Sequence, residues 1–188
     1  RVRHNLTLFD RVRIDHFRGL VASWEVPAGS ETAAGGRWVD NPVTDFLSRL
    51  ARSSASLPII AEDLGHITPD VRETMSLFDL PGMKVLLFAF GGDIARNPYI
   101  PHNVPDNCIY YTGTHDNNTT RGWFENEAGS AERDNLFGYI GREVAAEEIS
   151  GEMIRLVMMS RAYTVILPLQ DILGLGAEAR MNVPSTAH

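Results

Sequence analysis

An α/β fold built around a parallel sheet is what this sequence predicts. Two observations carry that expectation. Five short apolar segments recur along the chain, at residues 12–17, 58–61, 83–90, 108–112 and 164–169, and most are separated by helix-length stretches, the signal of repeated βα units. Their Ile, Val, Leu, Phe and Tyr content suits strands covered on both faces.

The helices between them are read from periodicity and from end signals. Residues 42–53 carry Val43, Phe46, Leu47 and Leu50 at helical spacing, which makes one apolar stripe. Thr68, Pro69 and Asp70 read as N-cap, first-turn proline and first-turn acid, opening a helix toward Phe78. Ser150 is read as the cap of a helix running to Tyr163, with Met153, Ile154, Val157 and Met158 on its inner face. Residues 18–40, with Trp24, Trp38, Gly19, Gly29, Gly35 and Gly36, and residues 91–105, with Tyr99 and His102, are read as long loops. Loops after the carboxyl ends of parallel strands are where α/β folds build their sites.

Composition narrows the function. The chain has 188 residues, 44% of them hydrophobic, enough for one sizeable core, and a formal charge of −7. That acidity excludes nucleic acid and anionic membrane as partners, since both reward basic patches, and leaves a neutral ligand such as a sugar. No run of about 18 apolar residues is present, and the opening RVRHNLTLFD lacks the order of a signal peptide. Cys108 is the single cysteine, so neither an intrachain disulfide nor a thiolate cluster is expected, and a reducing cytoplasm is the expected setting. The chain opens with Arg1 instead of Met and closes just past a Gly-rich polar stretch; both ends read as cut, and the chain as a fragment.

Acidic residues stand at or just past the ends of three segments: Asp15 in Arg13-Ile14-Asp15-His16-Phe17-Arg18-Gly19, Glu62 in Ala61-Glu62-Asp63-Leu64-Gly65, and Asp116 in Thr114-His115-Asp116-Asn117. Retaining cleavage of a glycosidic bond needs a carboxylate nucleophile and a carboxylic acid about 5 to 5.5 Å apart. A third carboxylate can bind ring hydroxyls in the transition state. Strand alternation puts Arg13 and Asp15 on one face, so a guanidinium should favour the charged form of Asp15. Glu62 must carry a proton part of the time, for which apolar burial or a second carboxylate is expected beside it. The same alternation turns Asp63 away from Glu62, into a structural role.

Plainer readings compete. A lone acid at a strand end is more often a turn former or cap; three of them with Arg13 and His115 alongside are harder to explain that way. Trp24, Trp38 and Trp123 are read as core packing ahead of sugar platforms, and Met158 and Met159 as core filler. Gly174-Leu175-Gly176 has Ala179 where a third glycine would stand, which argues against a dinucleotide site. His16 and His115 adjoin acids without further ligands at helical spacing, so contacts to sugar hydroxyls are expected and no metal.

Taken in order, these motifs resemble one family. Arg13 to Gly19, Ala61 to Gly65 with Thr68-Pro69, Pro81-Gly82-Met83-Lys84-Val85, Tyr111 to Asn117, Pro168-Leu169-Gln170-Asp171 and Arg180-Met181-Asn182 are similar to the amylomaltase, or 4-α-glucanotransferase, series over nearly the whole chain. The resemblance implies Asp15 as nucleophile, Glu62 as general acid/base and Asp116 as stabiliser of the oxocarbenium-like transition state, with Arg13, His16, His115 and Asn182 binding substrate. It implies transfer of α-1,4-glucan segments among maltooligosaccharides and starch- or glycogen-type glucans, with no cofactor. An α-glucan hydrolase using the same carboxylates, or an inactive glucan-binding fragment, are the alternatives; a plant or algal source would make a plastid the setting.

The resemblance also implies that the five segments are strands four to eight of a TIM-type (β/α)8 barrel, so that 1–188 is a partial catalytic barrel domain. Such a piece would expose unpaired edges. Self-association, and little activity in isolation, are expected of it.

Overall fold

Residues 1–52 and 56–186 are described by a computed structural model, so the predicted helix end at Ser53 lies outside the described residues. The chain forms two units, Arg1–Met83 and Lys84–His188. In chain order the first contains α1 (Val2–Asn5), β1 (Val12–Ile14), α2 (Arg18–Val21), β2 (Ala22–Glu25), β3 (Arg37–Asp40), α3 (Val43–Ala51), β4 (Ile59–Ala61) and α4 (Pro69–Leu77). β1 and β4 pair in parallel with Val12 opposite Ile59, Arg13 opposite Ile60 and Ile14 opposite Ala61. Backbone bonds continue past both strand ends, Glu62 N to Ile14 O at 3.0 Å and Phe17 N to Glu62 O at 3.1 Å.

The helices of this unit follow their sequence signals. α3 buries Val43, Leu47 and Leu50, with Phe46 partly buried against the same core. The stripe was legible because a surface helix must turn one apolar face inward. α4 begins at Pro69 with Asp70 in its first turn and buries Val71 and Met75. Around them close Phe17, Val21, Ile59, Ala61 and Leu80. Burying one such Leu or Phe side chain fully stabilises by roughly 1.5–3 kcal/mol, which is why the short strands persist.

Thr68 holds the cap position but its side chain makes no cap bond to the helix backbone. Its Oγ1 accepts from Nη1 of Arg18 at 2.6 Å, and its side-chain hydrogen bond to Asp70 is the main cause holding that carboxyl below the usual carboxylate range. The carboxylate does by charge what the hydroxyl does not do by capping.

Residues 18–40 are not a plain loop. They form α2 and an antiparallel hairpin in which Trp24 faces Trp38 and Ser23 faces Val39. The two indoles meet edge to face, centroids 5.5 Å apart, and the Arg18 guanidinium lies 4.2 Å from the Trp38 ring centroid. Both tryptophans are exposed, 42% and 52%, which overturns the core reading for them; only Trp123 is buried. The connection over 26–36 is far longer than the two to five residues by which hairpins announce themselves.

In the second unit β5 (Gly82–Val85) runs on from the first, followed by β6 (Cys108–Tyr111), α5 (Thr120–Asn126), α6 (Ser130–Ile140), α7 (Ala146–Met158), β7 (Thr164–Ile166) and α8 (Leu169–Ile172). The sheet order is β5-β6-β7, and β6 and β7 are parallel, with Ile109 opposite Thr164 and Tyr111 opposite Ile166. The apolar run 83–90 leaves the strand at Val85 and passes into a 3-10 turn over Leu86–Phe88. Leu86, Leu87, Ala89 and Phe90 are buried all the same; a continuous apolar run reports burial and not conformation.

The Ser150 cap is corrected. The observed cap position is Ala145, five residues earlier, and α7 starts at Ala146, with Glu147 and Glu148 in its first turn and Glu148 Oε2 accepting from Ala145 N at 3.4 Å. Acids in the first turn offset the positive end of the helix dipole, a signal the serine obscured. Ser150 lies inside the helix, 2% exposed, its hydroxyl 2.8 Å from that of Thr120. Met153 and Val157 are buried as expected, but Met158 and Met159 are 62% and 71% exposed, since they stand at the helix end beyond its inner face.

Asp171 ties this unit together. It is 1% exposed, accepts from Thr112 Oγ1 at 2.5 Å, and accepts from Thr120 N at 2.8 Å and Thr120 Oγ1 at 3.0 Å. A buried carboxylate requires several such donors.

Candidate functional site

The sequence-predicted residues fall into two groups, one in each unit. Arg13, Asp15, His16 and Glu62 come together in the first. Register brings them there: Ile14 lies opposite Ala61, so Asp15 and Glu62 are the next residues at the carboxyl ends of two hydrogen-bonded strands, whose backbones run about 4.8 Å apart. The predicted common face of Arg13 and Asp15 is present, with Arg13 Nη2 2.8 Å from Asp15 Oδ1. Arg13 Nε reaches Met83 Sδ at 3.1 Å, which fixes the guanidinium from behind. The Asp15 side chain is 77% exposed, open to an incoming molecule.

Glu62 is oriented by backbone. Its Oε2 accepts from His16 N at 2.7 Å and its Oε1 from Leu64 N at 2.8 Å. These bonds fill two of the roughly four acceptor sites of a carboxylate and leave one on each oxygen open. The surroundings differ from the expected apolar burial or second carboxylate: Glu62 is half-buried and held by backbone amides. His16 has φ 46°, sparsely populated for a residue with a side chain. Its ring lies so close to Gly19 that a Cβ there would come within 2.9 Å of Cδ2.

Asp63 takes the structural role expected of it. Its Oδ1 accepts from Met83 N at 2.6 Å, and a Cβ built on Gly82 would stand 2.7 Å from both carboxylate oxygens. Gly82→Ala therefore forces Asp63 off the Met83 amide and disturbs the residue beside Glu62. We expect a loss of about 1–3 kcal/mol, read as a lower denaturant midpoint; an unchanged midpoint would show that the contact relaxes freely.

His115, Asp116 and Asn182 come together in the second unit. Thr114 N and Oγ1 both donate to Asn117 Oδ1 at 2.9 Å, closing a tight turn that carries His115 and Asp116 on its outside, their side chains 57% and 52% exposed. Asn182 Nδ2 donates to Asp116 Oδ1 at 2.6 Å, and His115 Nε2 stands 3.5 Å from Asp116 Oδ2. Arg180, which the sequence marks only as part of the Arg180-Met181-Asn182 motif, donates from Nη2 to the backbone oxygen of Asp116 at 2.9 Å. No spacing rule could have found it, because 64 residues separate the partners.

Among the described residues, no group of three or more His, Cys, Asp or Glu side chains could hold a metal ion, and no helix is long and apolar enough to cross a membrane.

The chain is thus a mixed α/β protein with two carboxylates where a pair of parallel strands ends, one ion-paired and one held by backbone amides. The chain belongs to the 4-alpha-glucanotransferase family, whose model matches residues 1–188. It is 50% identical over 184 residues to a 4-alpha-glucanotransferase of Aquifex aeolicus, covering 98% of this chain and 37% of that protein. It is 48% identical over 189 residues to a 4-alpha-glucanotransferase of Synechocystis, covering 100% of this chain and 37% of that one. An amylomaltase of Streptococcus agalactiae, solved in complex with acarbose, superposes with a TM-score of 0.88 at 33% identity, covering 99% of this chain and 37% of that chain. The chain thus spans about 37% of the length of each of these three relatives.

Proposed function

We propose that the polypeptide carrying this chain transfers α-1,4-glucan segments between maltooligosaccharide or starch- and glycogen-type acceptors by retaining double displacement. Family membership supports the reaction, and the acarbose held by the Streptococcus agalactiae relative supports glucans as substrate. The observation that carries the mechanism is the β1–β4 register, which sets Asp15 and Glu62 side by side at two strand ends. Asp15, paired with Arg13, attacks the anomeric carbon. Glu62 gives its proton to the departing glycosidic oxygen and then removes one from the acceptor hydroxyl. Asp116 supplies negative charge to the oxocarbenium-like transition state, and Arg13, His16, His115 and Asn182 bind sugar hydroxyls.

We read the strands β1, β4, β5, β6 and β7 as strands four to eight of a (β/α)8 barrel, and 1–188 as part of its catalytic domain. The reaction as proposed uses no cofactor, and the single cysteine suits a cytoplasmic setting. Incubation with maltotriose tests the activity. Transfer produces a ladder of longer oligosaccharides at constant reducing-end concentration. A rise in reducing ends with no longer product would make the protein a hydrolase instead.

A further inference from the structure

Three features of the second unit converge on one side chain. Asp116, the acid assigned to the transition state, is itself more than half exposed, and an exposed carboxylate on a turn has no fixed place unless something holds it. Asn182 binds its Oδ1, but Asn182 is exposed too and needs holding in turn. Arg180 reaches both: Nη2 donates to the backbone oxygen of Asp116 at 2.9 Å, and Nε donates to the backbone oxygen of Asn182 at 2.8 Å.

Its third donor runs back into the body of the unit. Arg180 Nη1 stands 3.2 Å from Glu127 Oε1, and the same oxygen accepts from Asn118 Nδ2 at 2.9 Å. Asn118 is 7% exposed and follows the Asp116 turn directly, while Glu127 follows α5. The guanidinium therefore bonds the turn, the segment that delivers Asn182, and the carboxylate that secures the far side of the turn. One planar fork with separate donors meets all three; an ammonium on a flexible stem cannot hold that set at once. The approach of α5 to Asn118 is equally close, since a Cβ on Gly122 would collide with the Asn118 amide and stand 2.9 Å from the Ala177 backbone.

We propose that Arg180 is a positioning residue for the transfer reaction, which with Glu127 fixes the Asp116–Asn182 pair in its working geometry. The inference rests on the function proposed above. The Arg180 donors are directed at Asp116, Asn182 and Glu127. Arg180 acts through Asp116, so its loss should be felt where Asp116 is used, in the transition state. Misplacement of a reacting group by about 1 Å can cost roughly 100-fold in rate, whereas ground-state binding, spread over several side chains, should change little.

The experiment uses the polypeptide that carries this chain, in wild-type form and as Arg180→Lys, Glu127→Gln and Asp116→Asn. With maltotriose, Arg180→Lys is expected to lower kcat by about 10- to 100-fold with KM within about threefold. Its affinity for 1-deoxynojirimycin, whose basic nitrogen mimics the charge of the transition state, should fall in the same proportion as kcat. Glu127→Gln, which keeps the shape and loses the charge, is expected to move both quantities in the same direction by a smaller factor, and it decides the matter if Arg180→Lys does not fold. Unchanged kcat in Arg180→Lys, or in Glu127→Gln where that variant decides, would overturn the proposal, as would a loss confined to KM or inhibitor binding that does not follow kcat. A wild-type polypeptide without transfer overturns both the reading and the inference; a wild type that transfers, with Asp116→Asn inactive and Arg180→Lys normal, overturns the inference alone.

Discussion

Asp15→Asn is expected to lower glucan transfer by a factor of about 10,000 or more in the polypeptide carrying this chain, because it removes the nucleophile and puts a neutral amide of the same size in its place. Stability should hardly change. The Arg13–Asp15 pair has side-chain exposures of 28% and 77%, and exposed ion pairs contribute about 0–1 kcal/mol. A large loss of activity with an unmoved denaturation midpoint therefore reads chemistry and not folding. Transfer within tenfold of wild type would remove Asp15 from the role of nucleophile.

Glu62→Gln should separate substrates by their leaving groups. On maltotriose, whose departing oxygen needs a proton, the loss is expected to be roughly 100- to 10,000-fold. On α-glucosyl fluoride, where fluoride leaves without that proton, release should proceed near the wild-type rate through the first half-reaction. The substitution keeps one of the two bonds from His16 N and Leu64 N and loses the other, since the amide has a single acceptor oxygen and its NH2 only donates. Equal losses on both substrates would show that Glu62 is not the acid.

Much of this arrangement is legible in the sequence, and the residues show why. α3 and α4 followed from the stripe Val43, Phe46, Leu47, Leu50 and from the Thr68-Pro69-Asp70 opening, because helix periodicity and end signals are local. The Arg13–Asp15 pair followed from strand alternation, which is local as well. The hairpin of Trp24 and Trp38 was hidden by its long connection, and the start of α7 by a serine that packs against Thr120 instead of capping. Long-range pairings had no local signal at all. His16 N on Glu62 spans 46 residues, and Asn182 on Asp116 spans 66; composition and spacing name such residues, but only the fold says which touch. The backbone amides that hold Glu62 were missed for a simpler reason, that every residue type offers the same N–H.

The central claim is that Asp15 forms a covalent bond to the sugar, and one measurement addresses it directly. The Glu62→Gln polypeptide is treated with α-glucosyl fluoride, quenched in acid, digested and analysed by mass spectrometry. Without its base the enzyme cannot activate an acceptor, so the glycosyl ester accumulates. The account predicts one glucosyl group on the peptide containing Arg13-Ile14-Asp15-His16, with fragmentation placing it on Asp15. A glucosyl group on any other residue, or fluoride release with no covalent adduct at all, would contradict it.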